Sequence, residues 1–156
     1  MSEFSHIEDD RARMVDISDK DVIDRIARAE GTIHLQPSTI EAIEAGDVEK
    51  GAVLTVSRVA GIQAAKRTPE AIPMCHQLPL SSVDIEFELA EDHILATAEV
   101  KTTGRTGVEM EALNAVNGAL LCVWDMVKSL EKDESGTYPS AKITDVHVTD
   151  KIKQPS

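Results

Sequence analysis

Aromatic residues are scarce in this chain: one Trp, one Tyr and two Phe make up 3% of its 156 residues. So few rings leave no platform on which successive bases could stack. Positive charge is short as well, with 16 Lys and Arg against 28 Asp and Glu and a formal net charge of −12. A surface of that sign repels nucleic acid and anionic lipid, so neither is expected as a partner. Cys75 and Cys122 are the only thiols. Two cysteines make no disulfide framework and suit a reducing cytoplasm. No apolar run reaches the ~18–20 residues that span a bilayer. The start, Met1-Ser-Glu-Phe-Ser, has neither the basic nor the apolar region of a secretory signal. His6, His34, His93 and His147 lack ligand-type spacing, so no metal site is expected around the adjacent Cys75 and His76.

What is present suits one folded domain. Apolar residues make up 42% of the chain, enough for a core at this length. Residues 1–13 are polar and aperiodic and are expected to form a mobile arm, with a single domain over residues 14–153. The carboxylate excess is also what adaptation to high salt produces, because screening relieves the self-repulsion.

Periodicity gives a coarse order of elements. Met14-Val-Asp-Ile-Ser18 reads as a short strand or a clamp over a neighbour. Val22, Ile23, Ile26, Ala27 and Ala29 fit one face of a helix stopped by Gly31, with Arg25 and Arg28 together on the other face. Thr32–Gln36 alternates like a strand, with His34 as a structural residue within it. Pro37 and Ser38 open a second helix that Gly46 closes. Ala52–Ser57 reads as a buried strand from its β-branched content. The small-residue stretch from Val59 to Ala65 predicts close packing against another element, before the adjacent bases Lys66 and Arg67 and a break at Pro69. Ser82–Leu89 and His93–Thr102 form a hairpin with one wet face. A long helix follows over Val108–Lys132, with apolar residues from Met110 to Leu130 at three- and four-residue steps. Ser140–Thr149 alternates as a final strand. Strand, helix, hairpin, helix and strand in that order make an α+β, ferredoxin-like pattern: an antiparallel sheet covered by helices.

Two stretches are unusual. Ile72-Pro-Met-Cys-His-Gln-Leu-Pro79 holds a Cys–His pair between prolines, where no regular helix or central strand can form. Gly104-Arg-Thr-Gly-Val-Glu-Met-Glu111 delivers two acids through a glycine-bounded turn into the long helix. Glu109 and Glu111 point about 160° apart if both are helical, so they converge only if the turn leaves the first off the helix. Asp125 and Lys128 are three residues apart and can pair. Glu111 and Asp125 share a face within ~40° but lie ~21 Å apart along the axis. One small ligand cannot reach both from one chain, which predicts a site shared between subunits.

These stretches resemble a known family. Met14-Val-Asp-Ile-Ser, Lys50-Gly51, Ala60-Gly-Ile-Gln-Ala-Ala-Lys66-Arg-Thr68, Ile72-Pro-Met-Cys-His76, Gly104-Arg-Thr-Gly-Val-Glu-Met-Glu-Ala-Leu113 and Asp125-Met-Val-Lys128 stand in the order found in cyclic pyranopterin monophosphate synthases, the accessory protein C of molybdenum cofactor biosynthesis. The resemblance covers about residues 14–150. It implies a hexamer, a trimer of dimers with active sites at dimer interfaces. It also implies a lyase acting on 3′,8-cyclo-7,8-dihydroguanosine 5′-triphosphate, which it rearranges to a cyclic pyranopterin phosphate with release of diphosphate. Carried over by position, Asp125, Lys128 and Lys50 would be catalytic. Cys75, His76, Glu109, Met110, Glu111, Arg25 and Lys66 would bind substrate.

In that reading Lys128, oriented by Asp125, is the main acid–base group and Lys50 its partner. His76, Arg25 and Lys66 meet the triphosphate, and the two glutamates accept hydrogen bonds from the guanine-derived edge. No resident cofactor is expected; Mg²⁺ could accompany the triphosphate, but no dedicated site is visible. Two features depart from the family pattern. A Gly-Gly-Lys-Ser-Gly run common near the C-terminus is absent, and Arg105 stands where a lysine is common. The competing reading is a non-catalytic nucleotide-binding regulatory module on the same scaffold. A second is a purely structural oligomer.

Overall fold

Strand β3 (Ile23–His34) runs through the middle of the domain, and its inward residues are small or short after the first. Arg25, Ala27, Ala29, Gly31 and Ile33 are buried, and the residues between them are only partly covered. The computed structural model describes residues 7–8 and 11–155. Ahead of β3, β1 (Ile7–Glu8) pairs antiparallel with β2 (Arg11–Ala12). Of the arm expected over residues 1–13, residues 1–6, 9 and 10 lie outside the described residues. The helix expected over Val22–Ala29 is therefore the first half of a strand. Its apolar residues fit a helical face by coincidence, but the alternation that decides the matter is carried by alanines and a glycine. Arg25 and Arg28 consequently lie on opposite faces of the sheet, because side chains alternate along a strand.

The remaining elements are α1 (Pro37–Ala45), α2 (Val53–Lys66), α3 (Thr68–Ala71), β4 (Leu80–Leu89), β5 (His93–Gly104), α4 (Glu109–Glu131) and β6 (Lys142–Gln154). The sheet order is β4-β5-β3-β6, antiparallel throughout. This is the α+β arrangement expected from the sequence, with the 82–102 hairpin, the glycine-closed α1 and the long helix all in place. The second correction is α2, where Ala52–Ser57 had the β-branched content of a strand. Thr55, Val56 and Val59 are exposed on that helix, while Val53, Ser57, Gly61 and Ala65 form its buried stripe. The stripe repeats every four residues, a helical period that small side chains conceal from a hydropathy reading.

That stripe explains how the helices pack. A Cβ added at Gly118 would lie 2.6 Å from Ala64 Cβ, and one at Gly61 would lie 2.9 Å from the Ala115 carbonyl. The expected close approach of the small-residue segment is thus made against α4. Below α4, Val116 and Leu120 occupy the space that a side chain at Gly31 would need. Gly61→Ala is expected to destabilise the protein by about 1–3 kcal/mol, since backbone of α4 must move to admit the methyl. Urea unfolding at constant m-value measures the loss.

One polar tie fixes α1. Gln36 at its N-cap provides no side-chain cap. Instead the buried Glu131 carboxylate, at the end of α4, accepts from Gln36 N at 3.0 Å and from the Thr39 hydroxyl. This satisfies a donor that the helix start leaves open. It also fastens α1 to the end of α4, which brings the turn after Gly46 beside Asp125.

Candidate active site

Residues 14–21 form no strand but an irregular strap over the protein's own surface, tied by its carbonyls to three elements. His76 Nε2 lies 2.6 Å from Val15 O. Arg105 Nη1 donates to Ser18 O and Lys20 O, both at 2.9 Å. Arg25 Nη2 donates to Asp21 O at 3.1 Å, and its Nε to Gly104 O at 2.9 Å. The prolines around Cys75 and His76 keep that loop out of regular structure, so the imidazole is presented from a fixed position. A carbonyl can only accept, which assigns the proton of a neutral His76 to Nε2 and leaves Nδ1 as an acceptor.

Between strap, Cys–His loop and the start of α4 lies a cavity of about 270 Å³. Val15, Ile17 and Lys20 line one side, Met74, Cys75, His76 and Leu78 another, and Thr106, Gly107, Glu109, Met110 and Glu111 the floor. Both acids therefore face one space, as the turn was expected to allow. The means differ from the expectation: Glu109 is the first helical residue, and its carboxylate folds back over Gly107 into space that a Cβ would occupy.

The two carboxyls are held in different states. Burial works against the charge of Glu109, but the Lys151 ammonium at 2.7 Å and its own backbone N–H outweigh it and hold the carboxyl below its usual range. Glu111 is 3% exposed. Burial pushes its carboxyl up, helped by the nearby charge of Glu109. Burial likewise pushes the Cys75 thiol up, with Glu111 adding to the effect. The cavity thus pairs an ionised acid with one biased toward its neutral form. Such divergence is what separates hydrogen-bond acceptor from donor in a site.

Glu111 has a consequence for stability. Its folded pKa lies above the unfolded value, so the folded state binds more protons. Its contribution is favourable at low pH and is lost as pH rises from the unfolded value toward the folded one. Glu111→Gln is expected to raise Tm at pH 7 by about 2–4 °C, the shift for each kcal/mol in a chain of this size. The gain should vanish at pH 4, and thermal scans at both pH values check the sign.

The other cluster sits near the far end of α4. Asp125 Oδ2 lies 3.1 Å from Lys50 Nζ, and Asp125 Oδ1 lies 3.1 Å from Lys128 Nζ. Lys50 also donates to the Asp125 carbonyl at 3.1 Å. The hydrogen bond from Lys128, then that from Lys50, holds the Asp125 carboxyl below its usual range. One carboxylate therefore positions two ammonium groups while remaining open to solvent.

The structure thus divides the ten residues singled out by sequence. Cys75, His76, Glu109, Met110 and Glu111 share the cavity, and Lys50, Asp125 and Lys128 form the second cluster. Lys66 lines neither, facing two grooves beside Leu78 and Leu80, one of which touches Glu111. Arg25 is 5% exposed and spends two of its nitrogens on carbonyls. It acts as buried charge beneath Glu109 and as an anchor for the strap. Lys151, Lys20 and Arg105 were not singled out for their place at the cavity. Lys151 lay past the end of the expected strand and Lys20 outside any motif, while Arg105 stood inside one without a contact to mark it. Among the described residues no group of three or more His, Cys, Asp or Glu could hold a metal ion, and no helix is long and apolar enough to cross a membrane.

A helix-covered antiparallel sheet that holds one carboxylate between two lysines, and two unlike carboxyls around a cavity with a thiol and an imidazole, defines an acid–base enzyme of small-molecule type. The MoaC family model matches residues 14–153, and the chain belongs to the MoaC family. A protein of Methanococcoides burtonii is 59% identical over 154 residues, covering 99% of this chain and 97% of its own length. One of Methanosarcina mazei is 55% identical over 150 residues, covering 96% of each. One of Archaeoglobus fulgidus is 54% identical over 151 residues, covering 97% of each. All three carry the name "Probable cyclic pyranopterin monophosphate synthase".

Proposed function

We propose that this protein is a lyase of molybdenum cofactor biosynthesis that converts (8S)-3′,8-cyclo-7,8-dihydroguanosine 5′-triphosphate to cyclic pyranopterin monophosphate and diphosphate. The observation that carries the reading is Asp125 held at 3.1 Å from both Lys50 and Lys128. A binding module needs positive charge for a nucleotide, but it does not need a carboxylate that orients two amines. Opening and reclosing a purine and ribose skeleton requires groups that give and take protons, and positioned lysines do both. Lys128 is the main acid–base group, Asp125 orients it, and Lys50 is its partner. The Glu109 carboxylate accepts hydrogen bonds from the guanine-derived edge, Glu111 and Cys75 complete that wall, and His76 meets the phosphate end. Arg25 supports that end from below, and Lys66 reaches it from its own groove.

The two clusters stand at opposite ends of α4, about 21 Å apart by the helical rise. A substrate that uses both meets the cavity of one subunit and the lysine pair of another. This supports a homo-oligomer, a hexamer of three dimers, with ferredoxin-like subunits whose residues 14–153 act as one catalytic domain. No resident cofactor is part of the proposal; a divalent ion would arrive with the triphosphate. The cytoplasm is the proposed location, and the net charge of −12 makes activity in molar salt part of the reading. Incubation with the cyclised triphosphate, following pyranopterin and diphosphate at low and molar salt, tests it. Absence of both products in both conditions overturns the lyase and leaves the nucleotide-binding module.

A further inference from the structure

Glu131 is fully buried, and no step of the chemistry uses it. Its Oε2 takes both donors of the α1 start, while its Oε1 has no hydrogen-bond partner among the described residues. Packing alone does not call for a carboxylate here. A methionine of similar length would fill the space without an oxygen left unanswered. What the acid provides and a methionine cannot is a fixed place for one end of α1.

That place decides where Lys50 goes. Only Thr39 and Ile40 of α1 are buried, both in its first turn, and Thr39 is one of the two residues that Glu131 holds. Past the end of α1 the chain turns at once. Asp47 N donates to Ala42 O at 2.9 Å and Gly51 N to Val48 O at 3.0 Å, with Lys50 inside the second of these turns. On the α2 side Gly51 stands at φ +113°, a joint that no side chain stiffens. Lys50 therefore takes its direction from α1. Among the described residues, the hydrogen bonds from residues 36–50 to α4 fall at two places, Glu131 at the start and Asp125 at the end. The helical rise between those two acids is about 9 Å, so the segment braces the last turns of α4. Release of the first tie leaves the far end to the Val48 side chain and one exposed ion pair. Such a pair alone holds a long side chain poorly.

We infer that Glu131 is a positioning residue for Lys50: by seating the start of α1, it aims the Lys50 ammonium at Asp125. This deepens the lyase reading and rests on it for the effect on turnover. The aim itself is tested without substrate.

Carbon NMR titration of the Asp125 carboxyl in the full-length protein, assigned with Asp125→Asn, reads that aim. Lys128 and Lys50 together hold this carboxyl below its usual range, so Lys50→Met is expected to move its midpoint upward. Glu131→Met should give most of the same rise, and the two substitutions together no more than Lys50→Met alone. Glu131→Gln keeps an oxygen for Gln36 N and the Thr39 hydroxyl and should titrate like the parent. Thr39→Val removes one donor at nearly constant shape and should fall between the parent and Glu131→Met; it carries the test if Glu131→Met does not fold. Val100→Ala, a core truncation on β5 beside Ala27, should cost stability without moving the midpoint. With the cyclised triphosphate, Glu131→Met is expected to lower kcat by about 10–10²-fold with little change in KM, the mark of a misplaced acid–base group. An unmoved midpoint in Glu131→Met, or in Thr39→Val where that replaces it, overturns the inference. So does no rise in Lys50→Met, or a double variant that rises beyond Lys50→Met. A midpoint that moves as expected in a protein that forms no product keeps the inference and sinks the reaction.

Discussion

Asp125→Asn is expected to lower kcat by about 10²–10⁴-fold, the range for a positioned proton-transfer group, with the protein still folded. The amide can accept from one lysine, but it carries no charge to hold two ammonium groups 3.1 Å away on either side. Lys128→Ala should fall in the same range. Lys128→Arg should fare no better, because guanidinium keeps the charge and does not give up its proton. Circular dichroism separates this from unfolding, since Asp125 is exposed and contributes nothing to the core. The pH dependence follows from its lowered carboxyl. Asp125 stays ionised throughout the neutral range, so no loss of activity on the acid side should trace to it until well below its ordinary pKa of ~3.9. Turnover that survives either Asp125→Asn or Lys128→Ala removes the lysine pair from the chemistry.

Mixing two inactive variants is expected to restore activity. Glu109→Ala removes the ionised carboxylate from the cavity, and Asp125→Asn alters only the lysine pair. If each site draws its cavity from one subunit and its lysines from another, a mixed dimer holds one intact site and one doubly altered site. Co-expression at equal levels should then give about a quarter of parental turnover from two proteins that each have almost none, by the symmetry of a two-fold interface. Recovery near zero after confirmed mixing would mean that each chain completes its own site.

How far the sequence was legible depended on side-chain size. The hairpin and α4 could be read because Ile, Val, Phe and Leu recur among their inward positions, and α1 because Pro37 and Gly46 bound it. β3 and α2 were misread because their inward positions are Ala27, Ala29 and Gly31, and Ser57, Gly61 and Ala65. These residues are small because α4 lies close to both elements, as the space missing around Gly31 and Gly61 shows. Tight packing therefore removed the hydrophobic signal that would have announced it. At the site, the acids and the Asp125–Lys128 pair were legible as spacing along one helix. Lys50 against Asp125 was visible only through family resemblance, since 75 residues separate them. Lys151 at Glu109 was not visible at all, being a matter of how β6 ends beside the start of α4.

The strap over residues 14–21 is held through the one group that all twenty amino acids share. A bond from His76, Arg105 or Arg25 to a carbonyl makes no demand on the side chain at positions 15, 18, 20 or 21. Substitutions at those positions are expected to leave the strap tied, whereas loss of any of the three donors is expected to loosen it. The Lys20 ammonium, for one, takes no part in holding the strap, which grips that residue by its carbonyl. Substitution at Val15, Ile17 or Lys20 can therefore change what the strap offers the cavity without undoing the strap itself.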